Sequence, residues 1–277
     1  MWVESASPTP AKTLKALTIV SYLAPNWFWF YEAIAASISQ ALQREISLIQ
    51  SFHDPLHDPL LQQDQVDLAF MCGLPFIRQH QRVPQQFQAV VAPVMASPRY
   101  HNQPIYFADV IVNAASAITT FEQLAGSTLC YNDVGSNSGY NLLRYRLLQS
   151  HLHSFFSKTI PSGSHQGSIQ WVADGLASCA AINSTVLEQA LRNDPHLAQR
   201  LRVVETLGPC PMPPLVAAQQ LGSELIAQLR SLLLAPNLML QEAMEQAHVQ
   251  GFAIVTADEY EILAEMYSAT LRRGHQF

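Results

Sequence analysis

Lysine is almost missing from this chain: Lys12, Lys15 and Lys158 are its full complement. Charged residues of every kind make up only 13%, and the formal net charge is -6. No segment concentrates Lys and Arg, so the basic footprint of a nucleic-acid binder is absent and no nucleic-acid partner is expected. There is also no run of ~18 apolar residues, the length that crosses a bilayer, so direct membrane insertion is not expected. Met1–Lys15 contains Glu4, Pro8 and Pro10 and lacks the apolar core of about 7–15 residues that defines a secretory signal. No CxxC pair occurs among Cys72, Cys130, Cys179 and Cys210. GxSxG, Walker A, HExxH and dinucleotide-binding fingerprints are missing too, so no cofactor is implied.

What is present is apolar. Hydrophobic residues make up 49% of 277, which excludes a disordered chain and fits two lobes of ~100–150 residues each. Strand-like and helix-like runs alternate. Leu17–Tyr22, Ile46–Gln50, Val66–Met71, Phe87–Ala96 and Ile105–Val112 read as strands. Trp27–Gln43 and Leu74–Gln81 read as helices. Asp54-Pro55 and Asp58-Pro59 each look like an N-cap followed by proline in the first helical position, opening a helix to about Gln63. The pattern then restarts, with strands at Ser127–Tyr131, Phe155–Ile160, Ala177–Ile182 and Leu201–Thr206. Helices over Asn137–Ser150, Ser164–Asp174 and Thr185–Asn193 lie between them. This alternation implies parallel sheets with helices on both faces. A proline-dense stretch, GPCPMPP, precedes Leu215–Ala218, and helical runs over Ser223–Leu234, Leu238–His248 and Asp258–Arg272 close the chain.

The expected fold class is therefore α/β with two lobes. Residues 110–205 form a continuous lobe, and 15–109 plus 206–277 a discontinuous one. Residues 1–14 form a flexible N-terminal segment. The chain crosses between lobes near Ala108–Val112 and Glu205–Pro209, which leaves a central cleft where a ligand binds.

Two loops carry polar groups suited to that cleft. Asp133-Val-Gly-Ser-Asn-Ser-Gly-Tyr140 ends a strand and opens a helix. Free N–H groups at such a start, with the hydroxyls and amide of Ser136, Asn137 and Ser138, suit an oxyanion, although Ser136 or Asn137 could simply cap the helix. Pro161-Ser-Gly-Ser-His-Gln-Gly-Ser168 repeats the arrangement, with Ser164 a natural cap and His165 in the first turn. His53 and His57 stand four apart, but Pro55 between them argues against a helical metal pair and for a local duplication.

Several segments together resemble the periplasmic phosphate/phosphonate-binding protein family, the substrate-binding components of phosphonate-type ABC importers. They are Val66–Gly73, Tyr106–Val112, Thr120–Gly126, Ser136-Asn-Ser-Gly139, Gly163–Ile169 and Val172–Ala181, and the likeness runs over about residues 16–250. The order and spacing of the SxSG and GSHxxSI turns carry it best. The resemblance implies the two-lobe, type 2 periplasmic-binding fold, with two crossovers and a central cleft. It assigns the oxyanion to Ser136, Asn137, Ser138 and His165. Tyr22, Trp27, Phe76 and Tyr106 are candidates from the opposite lobe, and Asn183 follows a strand that could line the cleft. A phenylalanine stands at 76 where family members often carry tyrosine. No carboxylate matches the positions that hold an ammonium, so a smaller or uncharged-tail oxyanion is expected rather than an aminoalkyl phosphonate.

The resulting expectation is a non-enzymatic solute-binding protein for a phosphonate, phosphite or phosphate. It would act as a monomer that delivers to an ABC permease. It would be periplasmic or anchored at the membrane surface if a signal has been removed, and cytoplasmic if Met1 is the native start. The alternatives are a cytoplasmic enzyme of the same fold, with His165 as base or nucleophile, and a cytoplasmic ligand sensor.

Overall fold

The computed structural model describes residues 15–272, and the segment 1–14 lies outside them. Eleven strands are described: β1 (Leu17–Ser21), β2 (Ile46–Gln50), β3 (Leu68–Phe70), β4 (Phe87–Met95), β5 (Ile105–Asn113), β6 (Thr128–Tyr131), β7 (Lys158–Pro161), β8 (Cys179–Asn183), β9 (Leu201–Pro211), β10 (Leu215–Ala218) and β11 (Val249–Ile254). They form two sheets, ordered β11-β4-β10-β3-β1-β2 and β7-β6-β8-β5-β9. Helices pack on them, so the molecule is a mixed α/β protein with two lobes.

The local rules behind these elements are visible in the residues. β1 and β8 are mostly apolar and almost wholly buried, as strands covered on both faces must be. The helix Phe28–Leu42 buries Phe30, Ile34 and Ile38 at helical spacing and stops where Gln43 turns left-handed. Asp54 and Asp58 both cap, accepting from the backbone N–H of Leu56 and Leu60 at 3.0 and 2.8 Å. They open two short turns, Pro55–His57 and Pro59–Gln62, rather than one helix. Pro59 has no N–H to continue the first turn.

Both sheets are mixed, which corrects the expected parallel order. β1 runs parallel to β2 and β3, and β6 parallel to β7 and β8. The antiparallel members include the strands that arrive from the other sheet. β5 opposes β8, and β10 opposes both β3 and β4. A strand entering from the far lobe comes from the cleft side, opposite in direction to strands that lead toward it.

The crossing points also differ from expectation. Ala108–Val112 and Glu205–Pro209 lie inside β5 and β9, which pair along their length. The chain changes sheets between Met95 and Ile105 and again between Pro211 and Leu215. GPCPMPP is therefore mostly strand. Gly208 makes this possible with φ +121, a conformation L-residues avoid, where an added Cβ would sit 3.3 Å from the Tyr106 carbonyl oxygen. The last helix, Glu261–Arg272, packs against both Gly73–Arg82 and Leu142–Gln149, so it touches both halves of the molecule. No described helix is long and apolar enough to cross a membrane.

Candidate functional site

A cleft of about 210 Å³ lies between the sheets. Its polar walls come from segments that follow the C-terminal ends of parallel strands. Tyr22 follows β1, Phe52–Pro55 follow β2 and Cys72 follows β3. Asn132, Asp133, Gly135, Ser136 and Ser138 follow β6, Gly163–His165 follow β7 and Thr185 follows β8. Ligands bind in this position in open α/β sheets, where loops diverge and backbone groups are unpaired.

The loop after β6 is shaped by its own hydrogen bonds. Asp133 Oδ1 accepts from the Gly135 N–H at 2.6 Å, and Ser136 Oγ accepts from the Gly139 N–H at 3.1 Å. A single π-turn, Asn137–Asn141, then leads into the helix Leu142–Gln149. Glycine is required at 139, because a Cβ there would overlap the Asn132 side-chain amide and lie 3.1 Å from His165 Cε1. The loop after β7 ends at Ser164, whose Oγ accepts from the Gly167 N–H at 2.9 Å. His165 follows as the first residue of the helix His165–Ala173.

The two loops meet where Ser138 Oγ and His165 Nε2 share a hydrogen bond of 3.0 Å. His165 is only 9% exposed, and burial pushes its pKa down to about 4. The imidazole is therefore neutral at pH 7, a hydrogen-bonding group rather than a cation. Its Nδ1 has no partner, and neither do the buried Asn132 Oδ1 and Gln50 Oε1. These three residues and Tyr22 line the cleft. Burial, then the charge of Asp58 and a hydrogen bond to it, raise the Tyr22 phenol well above its ordinary value and keep it protonated. No Lys or Arg is among the lining residues, but Asp54 and Asp133 are. Asp54 is engaged through both oxygens, by the Leu56 N–H and by His57 Nδ1 at 3.1 Å. Burial raises the Asp133 carboxyl above its usual range; the Gly135 N–H opposes that rise and the charge of Asp54 adds to it.

Of the residues singled out in the sequence, Ser136, Ser138, His165, Tyr22, Trp27 and Asn183 line the cleft. Trp27 donates its indole N–H to the Thr185 carbonyl at 3.2 Å, and Asn26 Nδ2 donates to the Val186 carbonyl at 3.2 Å. These two bonds join the turn after β1 to the helix after β8. Asn183 spends its Oδ1 on the Thr185 backbone N–H and hydroxyl. The structure places Asn137, Tyr106 and Phe76 behind the wall. Asn137 is fully buried and donates from Nδ2 to the Tyr106 hydroxyl at 2.7 Å. Its Oδ1 accepts from Asn141, so it braces the loop from within. Phe76 packs edge-on against Tyr260 at 5.3 Å. Asn132, Asp54, Asp133, Tyr31 and Phe252 line the cleft without having been singled out. Asn132 carried the same signal as Ser136, a polar residue just past a strand end; Phe252 carried none.

The family model described as "ABC transporter, phosphonate, periplasmic substrate-binding protein" matches residues 26–260. Among solved structures, the chain is similar to a binding-protein component of an ABC phosphonate transporter from Pseudomonas aeruginosa. The TM-score is 0.81 at 18% identity, over 94% of this chain and 87% of that one. It is also similar to PhnD1 from Prochlorococcus marinus, solved with methylphosphonate, at TM-score 0.80 and 17% identity, over 91% of this chain and 97% of that one. The aliphatic sulphonate binding protein SsuA from Escherichia coli aligns at TM-score 0.57 and 16% identity, over 94% and 87%. At these identities the solved structures establish the periplasmic-binding fold. No curated protein matches the sequence.

Proposed function

Because this chain belongs to the phosphonate-type family of periplasmic ABC-transporter substrate-binding proteins, we propose that its cleft holds an oxyanion between Ser136, Ser138 and His165 on one side and Tyr22 on the other. Members of that family are binding components of transporters, so the enzyme and sensor alternatives are set aside. The observation that carries the site assignment is the gathering of buried, unpartnered polar atoms at the strand ends, from Gln50, Asn132 and His165, beside the Tyr22 hydroxyl. A buried polar group without a partner is costly; an oxyanion's oxygens accept from the donors of the cleft, and a P–OH proton serves one of the two amide oxygens. Tyr22 donates to its oxygens, as does the one proton that the Ser138–His165 pair leaves free (the Ser138 O–H when His165 Nε2–H donates to Ser138), and Asn132 Oδ1 can accept from a protonated P–OH.

Closure follows from how the crossovers are tied. Arg99, in the first crossover, makes a bidentate ion pair with buried Asp109 of β5 at 2.8 and 3.0 Å. The stretch from Pro98 onward is therefore tied chiefly to the second sheet, with one exposed bond back to β11, from Gln250 Nε2 to Asn102 Oδ1 at 3.1 Å, and bending falls at Ala96–Ser97 and the return segment Met212–Pro214. The bonds from Asn26 and Trp27 to the helix after β8 hold the closed form. We assign the lobes on this basis, with the second running from about 98 to 211. The bound, closed monomer would be presented to an ABC permease on the periplasmic side of the membrane.

Calorimetry against methylphosphonate, phosphite, phosphate and sulfate tests the reading, and silence toward all four would sink it. Ser138→Ala should weaken a genuine oxyanion ligand by about 10–150-fold, the worth of one hydrogen bond to a charged group. Unchanged affinity would refute the assignment of Ser138.

A further inference from the structure

The cleft does not end at the polar loops. It continues toward the first sheet, where its walls are Phe30, Tyr31 and Ile34 of the helix Phe28–Leu42, Val91 and Met95 of β4, and Phe252 of β11. Phe30 and Phe252 stack with parallel planes at 6.4 Å between centroids, and Tyr31 stacks on Phe70 at 4.3 Å. A water needs roughly 10–15 Å³, so a cleft of about 210 Å³ exceeds what a phosphate or methylphosphonate fills. The surplus is walled by carbon. The two carboxylates, Asp54 and Asp133, stand in the loops after β2 and β6, whereas the apolar walls come from one helix and from β4 and β11.

The geometry points to an oxyanion that carries an apolar organic substituent, a short alkyl chain or a phenyl ring, as the ligand class. The headgroup sits at Ser136, Ser138 and His165, and the substituent lies among Phe30, Ile34, Val91 and Phe252. This inference rests on the oxyanion reading of the same cleft and adds its specificity. Each methylene transferred from water into such a chamber strengthens binding about fourfold. A small, polar-ended ligand would leave the chamber's apolar surface unused.

The test is calorimetry on the full chain with inorganic phosphate, methylphosphonate, butylphosphonate, phenylphosphonate and 2-aminoethylphosphonate. Butyl- and phenylphosphonate should bind at least about tenfold more tightly than methylphosphonate, the gain of two buried methylenes. Methylphosphonate binding with no gain for the longer substituents overturns the inference but leaves the oxyanion reading standing. Tightest binding of the aminoethyl compound also overturns it and assigns the specificity to the carboxylates. No response to any compound overturns both. Two variants localise the effect. Ile34→Phe, which fills the chamber, and Phe252→Ala, which removes a wall, should each lower the ratio of butyl- to methylphosphonate affinity toward one. Phe252 lies on an edge strand and is half-buried, so its truncation tests the chamber even if Ile34→Phe does not fold. A gain that survives Phe252→Ala would refute the placement.

Discussion

His165 is the group whose titration the fold most clearly controls. It is buried at the start of its helix, bonded through Nε2 to Ser138, and its pKa falls from 6.5 to about 4 because burial penalises the charged ring. In the unfolded chain the same ring titrates near its ordinary value. Between those two values the unfolded state binds more protons than the native state, so stability rises with pH there. The contribution is fully present above 6.5 and is lost as pH falls through 4. Its full size is about 3 kcal/mol, from the fall from 6.5 to about 4. Lowering pH from 7 to 5 should therefore remove roughly 2 kcal/mol through this residue alone. Urea unfolding at both pH values, on the ligand-free wild type and on His165→Gln, isolates the effect, because every other titrating group contributes to both proteins. The wild type should lose roughly 2 kcal/mol more than the variant. Equal losses would show that His165 is charged in the native state or exposed to solvent, and the neutral-donor account of the site would fail.

Tyr106→Phe removes the acceptor for Asn137 Nδ2 and leaves a fully buried amide proton unpaired. It should cost about 1–3 kcal/mol in chemical denaturation and weaken oxyanion binding without touching the ligand. Gly139→Ala drives a methyl group into the Asn132 side chain; methylphosphonate affinity should drop at least about tenfold by calorimetry, as overpacking displaces Asn132 and His165 together. Arg99→Met strands the Asp109 carboxylate, whose side chain is 2% exposed. It should destabilise the protein by about 3–5 kcal/mol in urea melts, with Thr206 as the main remaining partner of that carboxylate.

The parts of this architecture that were legible in the sequence are those decided locally. The helix Ser223–Leu234 and the strand Ile46–Gln50 match their expected limits, because apolar spacing and flanking breakers suffice there. Both Asp-Pro pairs cap as expected, since the signal and the bond lie within two residues of each other. What stayed hidden was decided at a distance. Strand direction in β5 and β10 depends on where the chain enters a sheet, which no local pattern records. β11 was missed because Gly251 interrupts it and because it follows its helix directly, through the left-handed His248. Phe76 and Tyr106 were candidates for the same reason that Tyr22 was: an aromatic residue near a strand end can face a ligand or the core. Packing against Tyr260 and pairing with Asn137 put them in the core. Asp54 presented a similar ambiguity, read as a cap and found to be both a cap and part of the cleft wall.

How this cleft would hold an anion is then a matter of dipoles. The protein carries a net charge of -6, no Lys or Arg lines the site, and its buried histidine, His165, is neutral, with the exposed His53 at the rim. Attraction must come from O–H and N–H groups aimed inward by fixed turns, which act strongly only once water is excluded. That makes closure part of recognition: in the open form the same groups would be solvated and worth little. The carboxylates sharpen the requirement. Asp54 is partly neutralised by the Leu56 N–H and by His57, and the raised Asp133 pKa eases its protonation, yet both still disfavour charge beyond what the donors can match. A headgroup that keeps one proton can donate to Asn132 Oδ1 while accepting from Ser138 and Tyr22, with His165 Nε2–H donating to Ser138. A fully ionised one would leave the Asn132 oxygen facing an oxygen. On this argument the shortage of cationic residues is a selection device, favouring monoanions with an apolar remainder over small, highly charged ions.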